Sequence, residues 1–152
     1  MPTHARRFLV FQILLLWQGG FLFYTAVVVP IGTGVMGSAA GQGVVTAHVT
    51  DWLNRLGVVG LVLLAWDIAA TKNRCAPRWW CWTVAVVCQY LMCFFHDLLD
   101  AFMDPARTVV VIRPPFYPVH RMYLWASTVQ WAACVALAWL TLRAWAEGER
   151  PV

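Results

Sequence analysis

Apolar residues along this chain fall into four long runs, separated by stretches in which Gly, Pro and charged residues collect. The runs cover about Phe8 to Ile31 (FLVFQILLLWQGGFLFYTAVVVPI), about Trp52 to Ala70, about Trp79 to Leu99 and about Tyr123 to Trp145. Each is close to the roughly 20 residues that a helix needs to cross a hydrocarbon core of about 30 Å. Backbone in lipid has to satisfy its own hydrogen bonds, so each run predicts a helix. Together they predict an all-α, integral membrane four-helix bundle: one transmembrane domain over 1–152.

The segments between the runs are short. The first connection, Gly32 to Thr50, begins GTGVMGSAAGQG and reads as a flexible or tightly folded loop. The third contains a β-branched run, Thr108 to Ile112, before Pro114, Pro115 and Pro118, and predicts a short extended segment on the outer surface. An Arg pair ahead of an apolar run also describes a secretory signal, with Ser38-Ala39-Ala40 resembling a cleavage site. The first run is well beyond the usual 7–15 residues of a signal core, so the expectation is a retained span.

Composition agrees with the pattern. Of 152 residues, 61% are apolar and only 12% charged, against about a quarter charged in soluble domains. Mean hydropathy is +0.65. The net charge of +4 lies mainly beside the apolar runs, without the basic stripe and interleaved aromatics of a nucleic-acid surface. Arg6, Arg7, Lys72, Arg74, Arg78, Arg143 and Arg150 mark one side, while the first connection has no Lys or Arg. The expected location is the inner (cytoplasmic) membrane, multi-pass, with both termini cytoplasmic. Arg107, Arg113 and Arg121 fall on the opposite side, offset by Asp97, Asp100 and Asp104. The tryptophans at 52, 66, 79, 80, 82, 125, 139 and 145 read as an interfacial belt. The five cysteines form no C-x-x-C pair and read as buried thiols.

Ionisable groups at membrane depth are expensive, which makes each a candidate for function. His48, His96 and His120 fall at the outer ends of three spans, with Asp51 and Asp100 nearby. Gln89, Cys93, His96 and Asp100 recur at four, three and four residues, within an arc of about 60° at 100° per residue. Such a stripe faces protein or water. His120, Tyr123, Ser127 and Cys134, with Gln130 adjacent, repeat the pattern on the fourth helix. On the second, Asp51 can pair with Arg55 one turn on. The first supplies Gln12, Gln18 and Tyr24, and Gly19-Gly20 allows close helix approach.

Several readings of the outer cluster stand side by side. In one, His48, His96 and His120, with Asp51 or Asp100 as ligands or orienters, bind a transition metal: zinc, copper or iron. Met36, Met92, Met103 and Met122 in the outer half would favour copper. In another, two facing histidines hold a b-type haem. A quinone or lipid-headgroup site is a third. The ordinary alternative is a hydrogen-bonded headgroup-level cluster that holds helix ends in register. Asp67 reads as a local salt bridge to Lys72 or Arg74, or alternatively as part of a proton or cation relay.

Gly19-Gly20-Phe21-Leu22-Phe23-Tyr24 with Val27-Val28-Val29-Pro30 resembles the opening helix of small four-helix bacterial membrane proteins, the copper-resistance-D-like proteins and a related DUF-type family. Phe116-Tyr117-Pro118-Val119-His120-Arg121, then Ser127 and Gln130, is similar to the Phe-x-x-x-His opening of the last helix in the DUF-type family. The resemblance covers about a quarter of the chain and implies a four-helix bundle in the cytoplasmic membrane, with metal handling as a theme and His120 as the matched polar position. Trp79-Trp80-Cys81-Trp82 has no counterpart in that pattern.

No nucleophile elbow, P-loop or H-E-x-x-H occurs, which favours binding over catalysis. The functional expectation is a multi-pass membrane protein with a transition-metal or metal-cofactor site at the extracytoplasmic helix ends. The alternative is a non-catalytic structural or accessory subunit. The bilayer is the expected partner, with a larger membrane complex or a homo-oligomer as protein partners.

Overall fold

The computed structural model describes residues 3–37, 39–71, 75–104, 110–111 and 113–148; the side chains of 39–41 and 113 are outside the description. Its described residues form four helices: α1 (Thr3–Met36), α2 (Ala39–Ala70), α3 (Cys75–Ala101) and α4 (Arg113–Gly148). All four are long and apolar enough to cross a membrane. They pack in sequence order, α1 on α2, α2 on α3 and α3 on α4, the last pair most extensively.

Every helix outruns its apolar stretch, because lipid sets how many residues must be apolar but does not end a helix. The largest difference is at the first connection. The expected loop from Gly32 to Thr50 is mostly helix: α1 continues to Met36, Gly37 turns the chain at φ +65°, and α2 is under way from Ala39. A left-handed residue just past a helix end is where glycine is favoured. Gln42 lies so close to Gly32 that a Cβ there would fall 1.9 Å from its amide oxygen. A side chain at Gly32 would have to displace the Gln42 amide. Of the expected extended run Thr108 to Ile112, residues 108, 109 and 112 lie outside the described residues; Val110 bridges Met103 in antiparallel fashion, and Val111 N–H donates to Phe102 O at 2.8 Å.

Two turns of α1, Leu15–Gly19 and Tyr24–Val28, are wound wide as π-helix. The second precedes Pro30, which has no N–H to offer and whose ring crowds the carbonyl four residues back; the wide turn takes up the misfit. The wide turns carry the two buried aromatics of α1, Trp17 and Tyr24. Tyr24 Oη donates to Thr46 Oγ1 at 2.9 Å and accepts from Gln42 Nε2 at 3.3 Å. Trp17 lies on the glycine-faced side of α2: a Cβ on Gly60 would fall 2.8 Å from its indole, and one on Gly57 3.0 Å from it. Close approach of α1 and α2 therefore rests chiefly on Gly57 and Gly60; of the Gly19-Gly20 pair, a Cβ on Gly20 would lie 3.6 Å from Leu53 of α2, in ordinary contact, and one on Gly19 meets nothing within 4 Å.

One apolar core joins Val10 and Trp17 of α1 to Leu61, Leu64 and Ile68 of α2, Ala85 of α3 and Cys134 and Leu137 of α4. A second, toward the opposite end, joins Met92 and Phe95 to Tyr123 and Ala126. Between them lies a polar layer. Gln130 Nε2 donates to Gln89 Oε1 at 3.0 Å and to Ala85 O at 3.1 Å, and Gln89 Nε2 donates to Asn54 O at 3.3 Å. The five cysteines are unbridged, with Cys88 and Cys134 buried.

Gly60→Ala gains up to about 1 kcal/mol of helix propensity but drives a methyl group into the Trp17 indole, an overpacking cost of about 1–3 kcal/mol. The expected outcome is a lower unfolding temperature in detergent. Gly34→Ala, whose Cβ meets nothing within 4 Å, is expected to leave that temperature unchanged or raise it.

Candidate functional site

Two polar clusters stand at opposite ends of the bundle. Sixteen residues of α2 separate Asp67 from Asp51, and eighteen of α3 separate Arg78 from His96, or about 24 and 27 Å at 1.5 Å per residue. That is close to the thickness of a hydrocarbon core. The end with Arg6, Asp67 and Arg78 is called the basic end below, and the end with Asp51, His96 and Asp100 the acidic end.

At the acidic end the stripe on α3 faces protein. Gln89 and His96 are buried, and Gln89 Nε2 donates to Cys93 Sγ at 3.6 Å. His96 sits between two carboxylates on opposite sides of its ring. Nδ1 lies 3.5 Å from Asp100 Oδ2, one turn on, and Nε2 lies 3.5 Å from Asp51 Oδ1 across on α2. Thr50 Oγ1 at 3.2 Å and Ala47 O at 3.3 Å complete the surroundings of Nε2. Tyr123 of α4 meets the imidazole edge to face, with centroids 6.3 Å apart, and its hydroxyl lies beside Asn54 and Thr50.

The three histidines do not converge. His48 is exposed on α2, and His120 stacks on Phe116 one turn before it, centroids 5.9 Å apart and rings within 8° of parallel. Neither shares a hydrogen bond or ring contact with His96. Of the five expected site residues, the fold assembles Asp51, His96 and Asp100 and leaves His48 and His120 outside. Among the described residues no three His, Cys, Asp or Glu side chains are arranged to hold one metal ion. The reason is visible at His96: its carboxylates face different nitrogens, and one ion can bind only one of them. Arg55, the expected partner of Asp51, lies over the Trp52 ring at 5.1 Å.

The basic end holds what pattern reasoning missed. Asp67 is fully buried and accepts from Arg6 Nε at 2.8 Å, from Arg78 Nη2 and, through both oxygens, from Trp145 Nε1 at 3.1 and 3.3 Å. Arg6 Nη2 also donates to Thr71 Oγ1 at 3.2 Å. Arg7 stacks on the Trp145 ring at 5.3 Å and donates to Trp145 O at 3.4 Å. All four helices thus meet on one carboxylate. The expected partners Lys72 and Arg74 lie outside the described residues; those observed are 61 residues before Asp67 and 11 after it. The available signal was Arg78 inside the first turn of an apolar helix, where a buried guanidinium demands a carboxylate.

No family model, no curated protein and no solved structure matches this chain.

Removing Asp67 strands Arg78, which is 0% exposed, and breaking a buried ion pair from one side costs about 3–5 kcal/mol. Asp67→Ala is expected to lower the unfolding temperature sharply. Asp97→Asn, at an exposed position of α3, should change stability by no more than about 0.5 kcal/mol.

Proposed function

We propose that this chain is a multi-pass membrane protein that binds a transition-metal cation at its acidic end, through His96 Nε2 and Asp51, and acts by binding and not by catalysing a reaction. The observation that carries the reading is the division between the two nitrogens of one buried imidazole. Asp100 faces Nδ1, while Asp51, the Thr50 hydroxyl and the Ala47 carbonyl gather round Nε2. A carboxylate on the far nitrogen is how metal-binding histidines are commonly oriented and made more basic.

The spacings favour the same reading. Two ligand atoms each about 2.0–2.2 Å from one tetrahedral ion lie about 3.3–3.6 Å apart, and the oxygens around Nε2 stand 3.2, 3.3 and 3.5 Å from it. One nitrogen with carboxylate and neutral oxygen donors suits zinc, copper or iron. His48, three residues before Asp51 and exposed, is the imidazole that a change of rotamer would swing toward the same oxygens. His120, stacked on Phe116, has no part in this site. The haem alternative asks for a second imidazole opposite His96, which neither His48 nor His120 supplies in this arrangement. The Lys and Arg distribution supports an acidic end on the extracytoplasmic face of the cytoplasmic membrane, and the metal-handling theme that the resemblance implies is in keeping with a metal ligand.

Metal analysis of protein purified in mild detergent, without a metal-affinity step and after equilibration with zinc or copper, tests the reading. About one ion per chain is expected in the parent protein and in His120→Ala. His96→Ala and Asp51→Asn should lose it, and Asp100→Asn should bind roughly 10–100-fold more weakly. A parent protein that takes up no metal, or a His96→Ala variant that keeps it, overturns the proposal. It would leave the accessory-subunit reading as the successor.

A further inference from the structure

The carboxylate at the basic end does not balance the charge around it. Asp67 faces both Arg6 and Arg78, and among the described residues it is the one acid within ion-pair distance of either. Arg78 and Asp67 side chains are 0% exposed, and Arg6 is 13% exposed. Both oxygens of Asp67 are already occupied by Arg6, Arg78 and Trp145. Arg78 retains Nε and Nη1 buried with no acceptor. A unit of positive charge is therefore enclosed where the helices leave the hydrocarbon, and enclosed charge without a counter-charge is costly.

Arg78 is the fourth residue of α3 (Cys75–Ala101); the positive starts of α1 and α3 and the negative ends of α2 and α4 meet at this end and offset one another, so the imbalance rests on the side chains. Thr141, one turn before Trp145 on α4, adds a buried hydroxyl that is also without a partner. Arg7 and Glu147 make contacts of their own at this end and are not part of the count.

We propose that the basic end binds a phosphate-bearing anion on the exposed edge of Arg6. The closed-off Arg78 supplies the attracting field from behind. Arg6 is the side chain that can make the contact, because Asp67 and Thr71 take its Nε and Nη2 while the side chain keeps 13% of its surface exposed. Phosphate oxygens match a guanidinium edge in charge and spacing. At this level the ready source is the phosphodiester of an anionic phospholipid; free phosphate has the same chemistry.

The full chain is reconstituted in phosphatidylcholine nanodiscs with and without phosphatidylglycerol. A third sample has phosphatidylcholine with inorganic phosphate, matched in ionic strength with sodium chloride. Unfolding temperature is read in each, and lipid retained by the protein in detergent is counted by native mass spectrometry. The expected result is a rise of several degrees with phosphatidylglycerol, with at least one such lipid retained. Both should be lost in Arg6→Gln, kept in Arg6→Lys, and unaltered in Arg143→Gln, an exposed arginine on α4. A rise with inorganic phosphate but not with the lipid assigns the same site to the free ion. No rise with either probe overturns the proposal, as does an equal rise in Arg6→Gln, which would mark diffuse surface charge. Should Arg6→Gln fail to fold, the retained-lipid count decides: parent and Arg6→Lys holding no phosphatidylglycerol overturns the proposal.

Discussion

The bundle is arranged around a carboxylate shut away from solvent. Asp67 is fully buried on α2, and each of the other three helices sends it a donor: Arg6 from α1, Arg78 from α3, Trp145 from α4. In a membrane, apolar side chains hold helices together only weakly, because lipid tails are as apolar as the residues they replace. Van der Waals packing such as Trp17 against Gly57 and Gly60 brings α1 close to α2 but fixes depth poorly. A buried charged network is intolerant of a slip by even one residue, since each displaced partner leaves a bare charge behind. The network therefore sets the register of the four helices along their axes.

Fixing register at one end has effects at the other. With α2 and α3 locked at Asp67 and Arg78, Asp51 and His96 are carried to matching heights, and the imidazole finds Asp51, Thr50 and Ala47 across the interface. The Gln89 and Gln130 pair lies between, hydrogen-bonded to the backbone of α2 and α3. The polar positions of the bundle form three levels, at its two ends and its middle. Side chains of Leu61, Leu64, Cys134 and Leu137 fill the space between the middle and the basic end.

Apolar runs alone were enough to read four helices, because a hydrocarbon core demands length and apolarity together and few other environments do. Helix ends were not legible for the same reason. Ahead of its apolar run, α2 extends from Ala39 to Thr50 on helix-compatible residues that hydropathy does not mark. Periodicity found the stripe of Gln89, Cys93, His96 and Asp100, since one helix fixes its own faces. It did not find which histidines meet, because that depends on how separate helices are rotated about their axes. His48 is three residues before Asp51 and still turns away from His96. The partners of Asp67 were illegible by sequence distance: nearby Lys72 and Arg74 were the simpler choice, and nothing local to Asp67 points to Arg6.

The tight reversal at Gly37 bears on how helices this long and apolar would enter a bilayer. From Gly32 to Thr50 it has no Lys, Arg, Asp or Glu, and α1 and α2 run antiparallel across that reversal with hardly a residue between them. Two helices so closely joined can enter as a preformed hairpin, tip first. The leading residues carry no fixed charge, and the first to follow them on α2 is Asp51.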